Sequence, residues 1–274
     1  MSKQKLPELM YGTAWKKETT ARLVELAVSH GFRAIDTANQ PKHYQEALVG
    51  QALKNLAGKG MARQQLFIQT KFTPIGGQGE QVPYDPKAPL AEQVSQSFER
   101  SLQHLQTDYL DSWLLHGPQT WFGLGPSDWE IWRCMEEIQR GGRAGTIGIS
   151  NVSLEQVKAL WEGAEIKPAM VQNRCYAVRG WDREVRQFCR EQGIGYQGFS
   201  LLTANPGVLR SRLLAELARR FNKTPAQIVF RFAQQIGMLP LSGTASERHM
   251  REDLEVNSFS LSKEELNGIE TLEG

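Results

Sequence analysis

The chain has 274 residues, of which 40% are hydrophobic and 23% charged, and 32 basic against 30 acidic side chains leave a net charge of +2. This composition supplies a large core and argues against global disorder, and the small net charge argues against binding of nucleic acid by neutralisation of its phosphates. The length fits two ordinary domains or one large α/β barrel.

Short β-like runs alternate with amphipathic helical stretches along the chain. In chain order, the predicted strands are residues 9–14, 33–37, 66–71, 109–116, 145–150, 169–173, 195–200 and 238–242. The predicted helices are residues 19–31, 44–57, 90–105, 129–140, 154–161, 182–192, 208–221, 225–235, 246–254 and 263–272. We expect Thr19 or Thr20 to cap the first helix and Gly31 to end it. Thr224 and Pro225 are expected to open the helix at 225–235.

The alternation predicts the fold class. Eight strands, each followed by a helix, with no linker between them, favour an α/β chain folded as one (β/α)8 barrel domain over residues 1–274. Two additional helices are expected within the barrel's helical layer. A doubly wound dinucleotide-binding sheet is disfavoured, because the turn from Gly12 to Trp15 has no GxGxxG motif.

A barrel places its chemistry at the carboxyl ends of the strands. The predicted strand ends are polar or aromatic where the strand bodies are apolar: Thr13, Trp15, Asp36, Lys71, His116, Ser150, Asn151, Gln172, Phe199, Ser200 and Ser242. Asp36, Lys71 and His116 end three consecutive strands, which lie about 4.8 Å apart, so we expect them to converge beside Tyr44. Taken singly, such a lysine is usually a solvated surface group and such a histidine a core residue.

Other sequence features bear on the compartment. No apolar run approaches the roughly 18 residues of a membrane span, and the first residues lack the apolar segment of a secretory signal. Cys134, Cys175 and Cys189 are odd in number and form no CxxC motif, so neither a disulfide framework nor a metal site is expected. We therefore predict a cytoplasmic protein that acts at no membrane.

Several motifs occur together and in order along the chain. They are Gly31-Phe-Arg-Ala-Ile-Asp36-Thr-Ala, Tyr44-Gln-Glu46 with Val49-Gly50, Ile68-Gln-Thr-Lys71, Thr107-Asp-Tyr-Leu-Asp111 running to His116, Gly148-Ile-Ser-Asn151 and Val171-Gln-Asn173. In this combination the sequence resembles the aldo/keto reductase superfamily over its whole length. The resemblance implies an enzyme that reduces aldehydes or ketones to alcohols by hydride transfer from NADPH, with NADH not excluded.

The resemblance also implies a catalytic tetrad of Asp36, Tyr44, Lys71 and His116. Tyr44 would protonate the alkoxide, and the Lys71 ammonium, held by Asp36, is expected to lower the pKa of that phenol. His116 would donate a hydrogen bond to the carbonyl. The family's tyrosine usually lies five residues after the aspartate, whereas Tyr44 lies eight after Asp36, so residues 39–43 look like a three-residue insertion. His43 in this insertion either tunes the site or is a solvated loop residue.

For the cofactor, the resemblance implies the carboxamide against Ser150, Asn151 and Gln172 and the nicotinamide ring against Phe199. The implied set is Thr13, Asp36, Ser150, Asn151, Gln172, Phe199, Ser200, Leu202, Ser242, Thr244, Arg248, His249, Glu252 and Asp253. In NADP-preferring relatives a lysine commonly precedes the serine at Ser242 and an arginine holds the 2′-phosphate. Here Leu241 replaces the lysine, and the arginine position falls on Arg248 or His249. Arg248 and Arg251 keep the region basic, so NADPH is favoured.

The substrate is expected to be a small-molecule carbonyl compound of apolar or aromatic character. Aromatic residues in the loops above the centre support this: Trp15, Phe72, Tyr84, Trp121 and Phe122, of which Trp15, Trp121 and Phe122 are the predicted substrate contacts. Two alternatives stay open: a nicotinamide-binding regulatory subunit with little turnover, and an unrelated barrel enzyme acting on phosphate sugars. The oligomeric state cannot be derived from the sequence.

Overall fold

A computed structural model of the protein describes residues 7–272. Its strands are β1 Met10–Gly12, β2 Ala34–Asp36, β3 Phe67–Phe72, β4 Leu110–Leu115, β5 Ala144–Ser150, β6 Met170–Arg174, β7 Gly195–Phe199 and β8 Met238–Ser242. All are parallel and pair in chain order, and β8 pairs with β1 through Leu241 and Met10, which closes the barrel. The predicted (β/α)8 barrel is confirmed.

Eleven helices within the described residues surround the barrel. They are α1 Thr20–His30, α2 Glu46–Gly58, α3 Leu90–Leu105, α4 Pro126–Arg140, α5 Leu154–Gly163, α6 Arg183–Gln192, α7 Pro206–Leu209, α8 Arg212–Phe221, α9 Pro225–Gln235, α10 Glu247–Leu254 and α11 Lys263–Glu270. Buried side chains of these helices and of the strands form the main hydrophobic core between the two layers. No helix within the described range is long and apolar enough to cross a membrane.

Helix ends account for most of the differences from the predicted elements. The helix predicted at 208–221 is two helices, because Ser211 is extended and its hydroxyl accepts a hydrogen bond from the Leu214 amide, which starts α8 anew. Thr19 is the N-cap residue of α1, as expected, but no side-chain hydrogen bond caps this helix, because the hydroxyls of Thr19 and Thr20 both donate to carbonyl oxygens of the preceding turn. Gly31 ends α1 with φ of 122°, as expected.

The opening of α9 follows the sequence closely. Pro225 is its first residue, and the Thr224 hydroxyl accepts a hydrogen bond from the Gln227 amide at 3.2 Å. The Gln227 side chain accepts in turn from the Thr224 amide, which completes a capping box. This capping fixes where α9 begins. The helix leads into β8, whose carboxyl end borders the candidate site described next.

Candidate active site

Asp36 and Lys71 form a buried ion pair at the carboxyl end of the barrel. Lys71 Nζ lies 2.7 Å from both carboxylate oxygens of Asp36 and 2.8 Å from the carbonyl oxygen of Thr37. Lys71 is fully buried, so it is not the solvated surface group that a lone strand-end lysine usually is. Three acceptors surround an ammonium with three protons, so the charge is held in one orientation.

Three glutamines in the barrel interior hold Asp36 from the other side. Gln69 and Gln172 each donate from Nε2 to Asp36 Oδ1, at 2.7 and 3.0 Å, and each also donates to Gln197 Oε1. Gln197 returns a hydrogen bond to Gln69 Oε1 at 3.0 Å. We call Gln69, Gln172 and Gln197 the glutamine network. The carboxylate of Asp36 is thereby fixed by amides as well as by the ammonium.

Of this network, only Gln172 was predicted from the sequence to be a site residue. A signal for Gln69 was present, because it stands two residues before Lys71 on β3 and therefore points to the same side of the strand. Gln197 has the same register on β7, two residues before Phe199. Inward-facing polar residues two positions before a strand end were the pattern that could have revealed both.

Tyr44 reaches this centre despite the longer spacing from Asp36. The insertion folds into a turn in which the amides of His43 and Tyr44 both donate to the Gln40 carbonyl at 3.0 Å. The Tyr44 ring centroid lies 5.5 Å from Lys71 Nζ and 6.0 Å from the His116 ring centroid. The structure therefore brings together the four residues that the sequence predicted to converge.

Contrary to expectation, the net shift of the Tyr44 pKa is upward. Burial, and secondly the negative charge of Asp36, raise the pKa of the Tyr44 phenol above its ordinary value. The ammonium of Lys71 does not reverse this, because Asp36 pairs with it directly. Burial also lowers the pKa of Lys71, and Asp36 opposes that shift. Tyr44 is consequently a neutral phenol that retains its proton throughout the physiological range.

His116 follows β4 and is held at its backbone and at its ring. Its carbonyl oxygen accepts from Asn151 Nδ2 at 2.8 Å, and its Nδ1 lies 2.7 Å from the Thr73 hydroxyl. Burial, followed by the nearby charges of Lys71 and His43, lowers the pKa of His116 to about 3. The imidazole is therefore neutral at physiological pH and carries a single N–H.

His43 stacks on a residue predicted to contact substrate. Its ring centroid lies 4.2 Å from that of Trp15, and its Nδ1 lies 2.8 Å from Gln40 Oε1. The amide nitrogen of Gln40 donates to Gly77 O, so the oxygen faces His43 and Nδ1 must carry a proton. Burial, and then the charge of Lys42, lower the pKa of His43. His43 is thus an ordered part of the loop that carries Tyr44.

The residues expected at the nicotinamide end lie at or near the carboxyl ends of β1, β5, β6 and β7. The Ser150 hydroxyl donates to Gln172 O at 2.6 Å, and Asn151 Nδ2 lies 3.1 Å from Ser150 Oγ. The side-chain amide of Gln172 donates one N–H to Asp36 and the other to Gln197, which leaves its side-chain oxygen Oε1 to accept from a ligand. Phe199 ends β7 with its ring half-buried. Thr13 directly follows β1, and Ser200 and Leu202 lie in the loop after β7.

The residues expected at the adenosine end lie on the loop after β8 and on α10. Ser246 caps α10, and the buried Asp253 carboxylate accepts from the Ser242 hydroxyl at 2.6 Å. Arg248 is exposed, with its guanidinium 3.1 Å from the His249 ring and 3.6 Å from Glu252. Leu241 packs into a small apolar cluster with Met10, Ala34 and Phe67.

A cation that the sequence analysis did not single out lies against this loop. Lys16, from the loop after β1, donates from Nζ to the carbonyl oxygen of Gly243. The Tyr11 hydroxyl donates to the next carbonyl along the chain, Thr244 O, at 2.8 Å. A helix N-terminus, an exposed arginine and a lysine together suit a phosphate-bearing ligand. The donor set from Ser150 to α10 therefore fits a nicotinamide dinucleotide.

Comparisons with known proteins agree with this geometry. A family model described as the aldo/keto reductase family matches residues 8–273. The chain belongs to this family. The reductase is similar to glyoxal reductase of Bacillus subtilis, with 32% identity over 250 residues that cover 91% of this chain and 82% of that protein. It is 30% identical to aldo-keto reductase family 4 member C11 of Arabidopsis thaliana, over 98% of this chain and 86% of that protein.

Solved structures show the same fold. An aldo/keto reductase from Brucella melitensis has a TM-score of 0.81 and 25% identity, over 97% of this chain and 94% of its own. Aldose reductase from Schistosoma japonicum has a TM-score of 0.83 and 24% identity, over 98% of this chain and 89% of its own. The reductase is accordingly an NAD(P)H-dependent enzyme of carbonyl reduction. An unrelated barrel enzyme acting on phosphate sugars is excluded.

The aromatic residues of the reductase divide into two groups. Phe72 was predicted to lie in a loop above the centre, and this is wrong: it is the last residue of β3 and is buried against Tyr84, with 5.7 Å between ring centroids. Trp15, Trp121 and Phe122 are 66%, 93% and 87% exposed. Trp15 contacts His43 beside Tyr44, whereas Trp121 and Phe122 lie out on the loop after β4.

Proposed function

We propose that this reductase converts aldehydes or ketones to alcohols with NADPH, using Asp36, Tyr44, Lys71 and His116. The observation that carries the proposal is the buried Lys71–Asp36 pair, with the Tyr44 ring 5.5 Å from Lys71 Nζ and 6.0 Å from the His116 ring. When bound, the nicotinamide supplies the hydride. Everything else that the reaction needs, namely a proton and stabilisation of the developing oxyanion, comes from these side chains.

Tyr44 is the proposed acid. Its raised pKa keeps the proton on the phenol until negative charge develops on the substrate oxygen. Once the proton has moved to that oxygen, the phenolate lies beside the Lys71 ammonium, which stabilises it. Asp36, fixed by the glutamine network, holds the ammonium in place. His116 is neutral and donates its N–H to the same substrate oxygen, which orients the carbonyl.

The proposed cofactor residues form a continuous set from the centre to α10. Ser150, Asn151 and Gln172 would hold the carboxamide and Phe199 would stack on the ring, with Thr13, Asp36, Ser200 and Leu202 adjoining. The pyrophosphate and adenosine would lie along Ser242, Thr244, Arg248, His249, Glu252 and Asp253. Arg248, together with Lys16, supports NADPH over NADH, although Leu241 supplies no charge.

Trp15, Trp121 and Phe122 are the proposed substrate contacts, and their exposed apolar surface supports an apolar or aromatic carbonyl compound. We also infer that residues 1–274 fold as one domain, which the closed barrel supports. The three cysteines are free thiols, which supports the reducing cytoplasm as the compartment.

The first test follows oxidation of NADPH and NADH with an aromatic aldehyde and with glyoxal. We expect Tyr44→Phe to lose about 10²–10⁴-fold in kcat while cofactor affinity, measured by quenching of tryptophan fluorescence, is unchanged. Tyr109→Phe is the matched control, because Tyr109 lies at the opposite end of the barrel, just before β4, and should keep full activity. Turnover by Tyr44→Phe at the wild-type rate would rule out Tyr44 as the acid.

The same assay separates the remaining alternatives. A higher kcat/KM with NADPH than with NADH is expected, and a lower Kd for NADPH should accompany it. Equal values with the two cofactors would contradict the NADPH preference but not the reaction. Tight cofactor binding without turnover of any carbonyl would instead favour the regulatory subunit.

A further inference from the structure

Thr73 stands at a junction between the β3–α3 loop and the proposed catalytic histidine. It follows β3 directly and is only 2% exposed. Its carbonyl oxygen accepts from the Tyr84 hydroxyl at 2.8 Å and from Gln78 Nε2 at 3.0 Å. Its own hydroxyl lies 2.7 Å from His116 Nδ1. Backbone and side chain are therefore both fixed, and the hydroxyl points at one nitrogen of the imidazole.

The direction of this hydrogen bond follows from counting protons. A threonine hydroxyl has one proton, and within residues 7–272 the Thr73 hydroxyl has His116 Nδ1 as its hydrogen-bond partner and no other. If Nδ1 were the donor, the buried hydroxyl proton would have no acceptor, which is unfavourable. The hydroxyl therefore donates, and Nδ1 accepts with its lone pair.

The state of the other nitrogen follows. Burial and the Lys71 charge lower the pKa of His116 to about 3, so the ring is neutral and carries one proton. With Nδ1 acting as acceptor, that proton is on Nε2. The opposite tautomer would leave Nε2 without a proton, and a bare nitrogen repels a carbonyl oxygen instead of binding it.

We propose that Thr73 is a positioning residue that locks His116 in the tautomer protonated at Nε2 and so makes the imidazole a hydrogen-bond donor to the substrate. This inference rests on the proposed role of His116 in carbonyl reduction. It assigns to the β3–α3 loop a part in the reaction, because Tyr84 and Gln78 hold the residue that sets the tautomer.

The test compares Thr73→Val, which keeps the shape of the side chain without the hydroxyl, with Thr73→Ser, which keeps the hydroxyl. Long-range ¹H–¹⁵N correlation spectra of the free protein, labelled at histidine nitrogens, report the tautomer directly, and His116→Phe assigns the signals. We expect wild type and Thr73→Ser to show protonated Nε2 and bare Nδ1. Thr73→Val should show averaged shifts of the two nitrogens, because both tautomers become populated.

Activity provides the second readout. Thr73→Val should lower kcat/KM about tenfold, the loss expected for one hydrogen bond, while Thr73→Ser stays near the wild-type value and cofactor affinity is unchanged in both. A wild-type spectrum with the proton on Nδ1 overturns the inference, and this measurement needs no variant to fold. A spectrum of Thr73→Val identical to wild type also overturns it.

These outcomes are distinguishable from failure of the proposed function. If the reductase turns over no carbonyl compound, the proposed function fails while the tautomer spectra still decide what Thr73 does to His116. If wild type is active but the spectra contradict the predicted tautomer of His116, only the proposed role of Thr73 is wrong.

Discussion

Asp253 is a buried carboxyl at the adenosine end of the proposed cofactor site, and its ionisation bears on binding. Burial raises its pKa to about 6, opposed by the Ser242 hydrogen bond and by His249, while Glu252 adds to the rise. Because the folded pKa exceeds the unfolded one, the protonated carboxyl favours the fold. That contribution to stability is present below the ordinary pKa of 3.8 and is lost as pH rises through about 6.

We predict that cofactor affinity follows the same titration. Above about pH 6 the Asp253 carboxylate repels a phosphate-bearing ligand, so the Kd should fall as the pH is lowered through this value. Asp253→Asn should bind more tightly at neutral pH and lose this part of the pH dependence. Fluorescence titrations with NADH check this, because NADH lacks the 2′-phosphate that itself titrates in this range. An unchanged pH profile in Asp253→Asn would contradict the prediction.

At the scale of elements, α2 and α3 approach each other most closely at Gly50. A Cβ atom built on Gly50 would lie 2.8 Å from the carbonyl carbon of His104 and closer still to its oxygen, and both belong to the backbone of α3. Glu46, one turn earlier, also contacts the His104 ring at 3.0 Å. The absence of a side chain at position 50 therefore allows α2, the helix that follows Tyr44, to pack where it does.

Gly50→Ala should destabilise the fold by about 1–3 kcal/mol or more, because α3 has to shift away. Gly58→Ala is the matched control in the same helix: nothing lies within 4 Å of its Cβ position, and alanine should stabilise there by up to about 1 kcal/mol. Urea denaturation followed by far-UV circular dichroism measures both changes. An equal free energy of unfolding for the two variants would show that the close approach of α2 and α3 at Gly50 does not affect stability.

Helix boundaries show where local sequence signals suffice. The start of α9 could be derived because its capping residues and proline lie next to one another in the chain. The break between α7 and α8 was missed, because the apolar periodicity continues across it while the Ser211 cap interrupts the backbone. Phe72 was placed in a loop because the strand was predicted to end at Lys71. In the structure β3 continues to Phe72, which pairs with Leu115 of β4.

At the scale of the whole molecule, the glutamine network connects β3, β6 and β7 across the barrel interior. We predict that Gln197→Leu lowers stability by about 1–3 kcal/mol, because it removes the acceptor of two amides and the donor to Gln69 Oε1 within a buried space. Turnover should fall as well, since Asp36 is then held less firmly. Thermal unfolding and kcat are the measurements.

Gln187→Leu on the exposed face of α6 is the control for this prediction, and it should leave stability within about 0.5 kcal/mol of wild type. A Gln197→Leu protein as stable and as active as wild type would show that the network merely fills space.

The barrel and the convergence of its four site residues could be predicted, because both follow from strand order and from which residues end the strands. The pKa shifts of the site residues could not be predicted from the sequence. The pKa of Tyr44 depends on burial and on how completely Asp36 neutralises Lys71, and these are properties of distances. The inward-facing positions of Gln69 and Gln197, two residues before their strand ends, could have been read from the sequence, but the hydrogen bonds that they make could not, because these depend on partners across the barrel.

The glutamine network has a further consequence for the energetics of charge transfer. Liquid water stabilises a new charge by turning its dipoles, and that rotation contributes reorganisation energy to the barrier. The amides of Gln69, Gln172 and Gln197 cannot turn, since each is bound to another member of the network or to Asp36. The barrel interior therefore behaves as a solvent whose dipoles are already oriented, and the proposed proton transfer from Tyr44 to the substrate oxygen would require little reorientation of these amides.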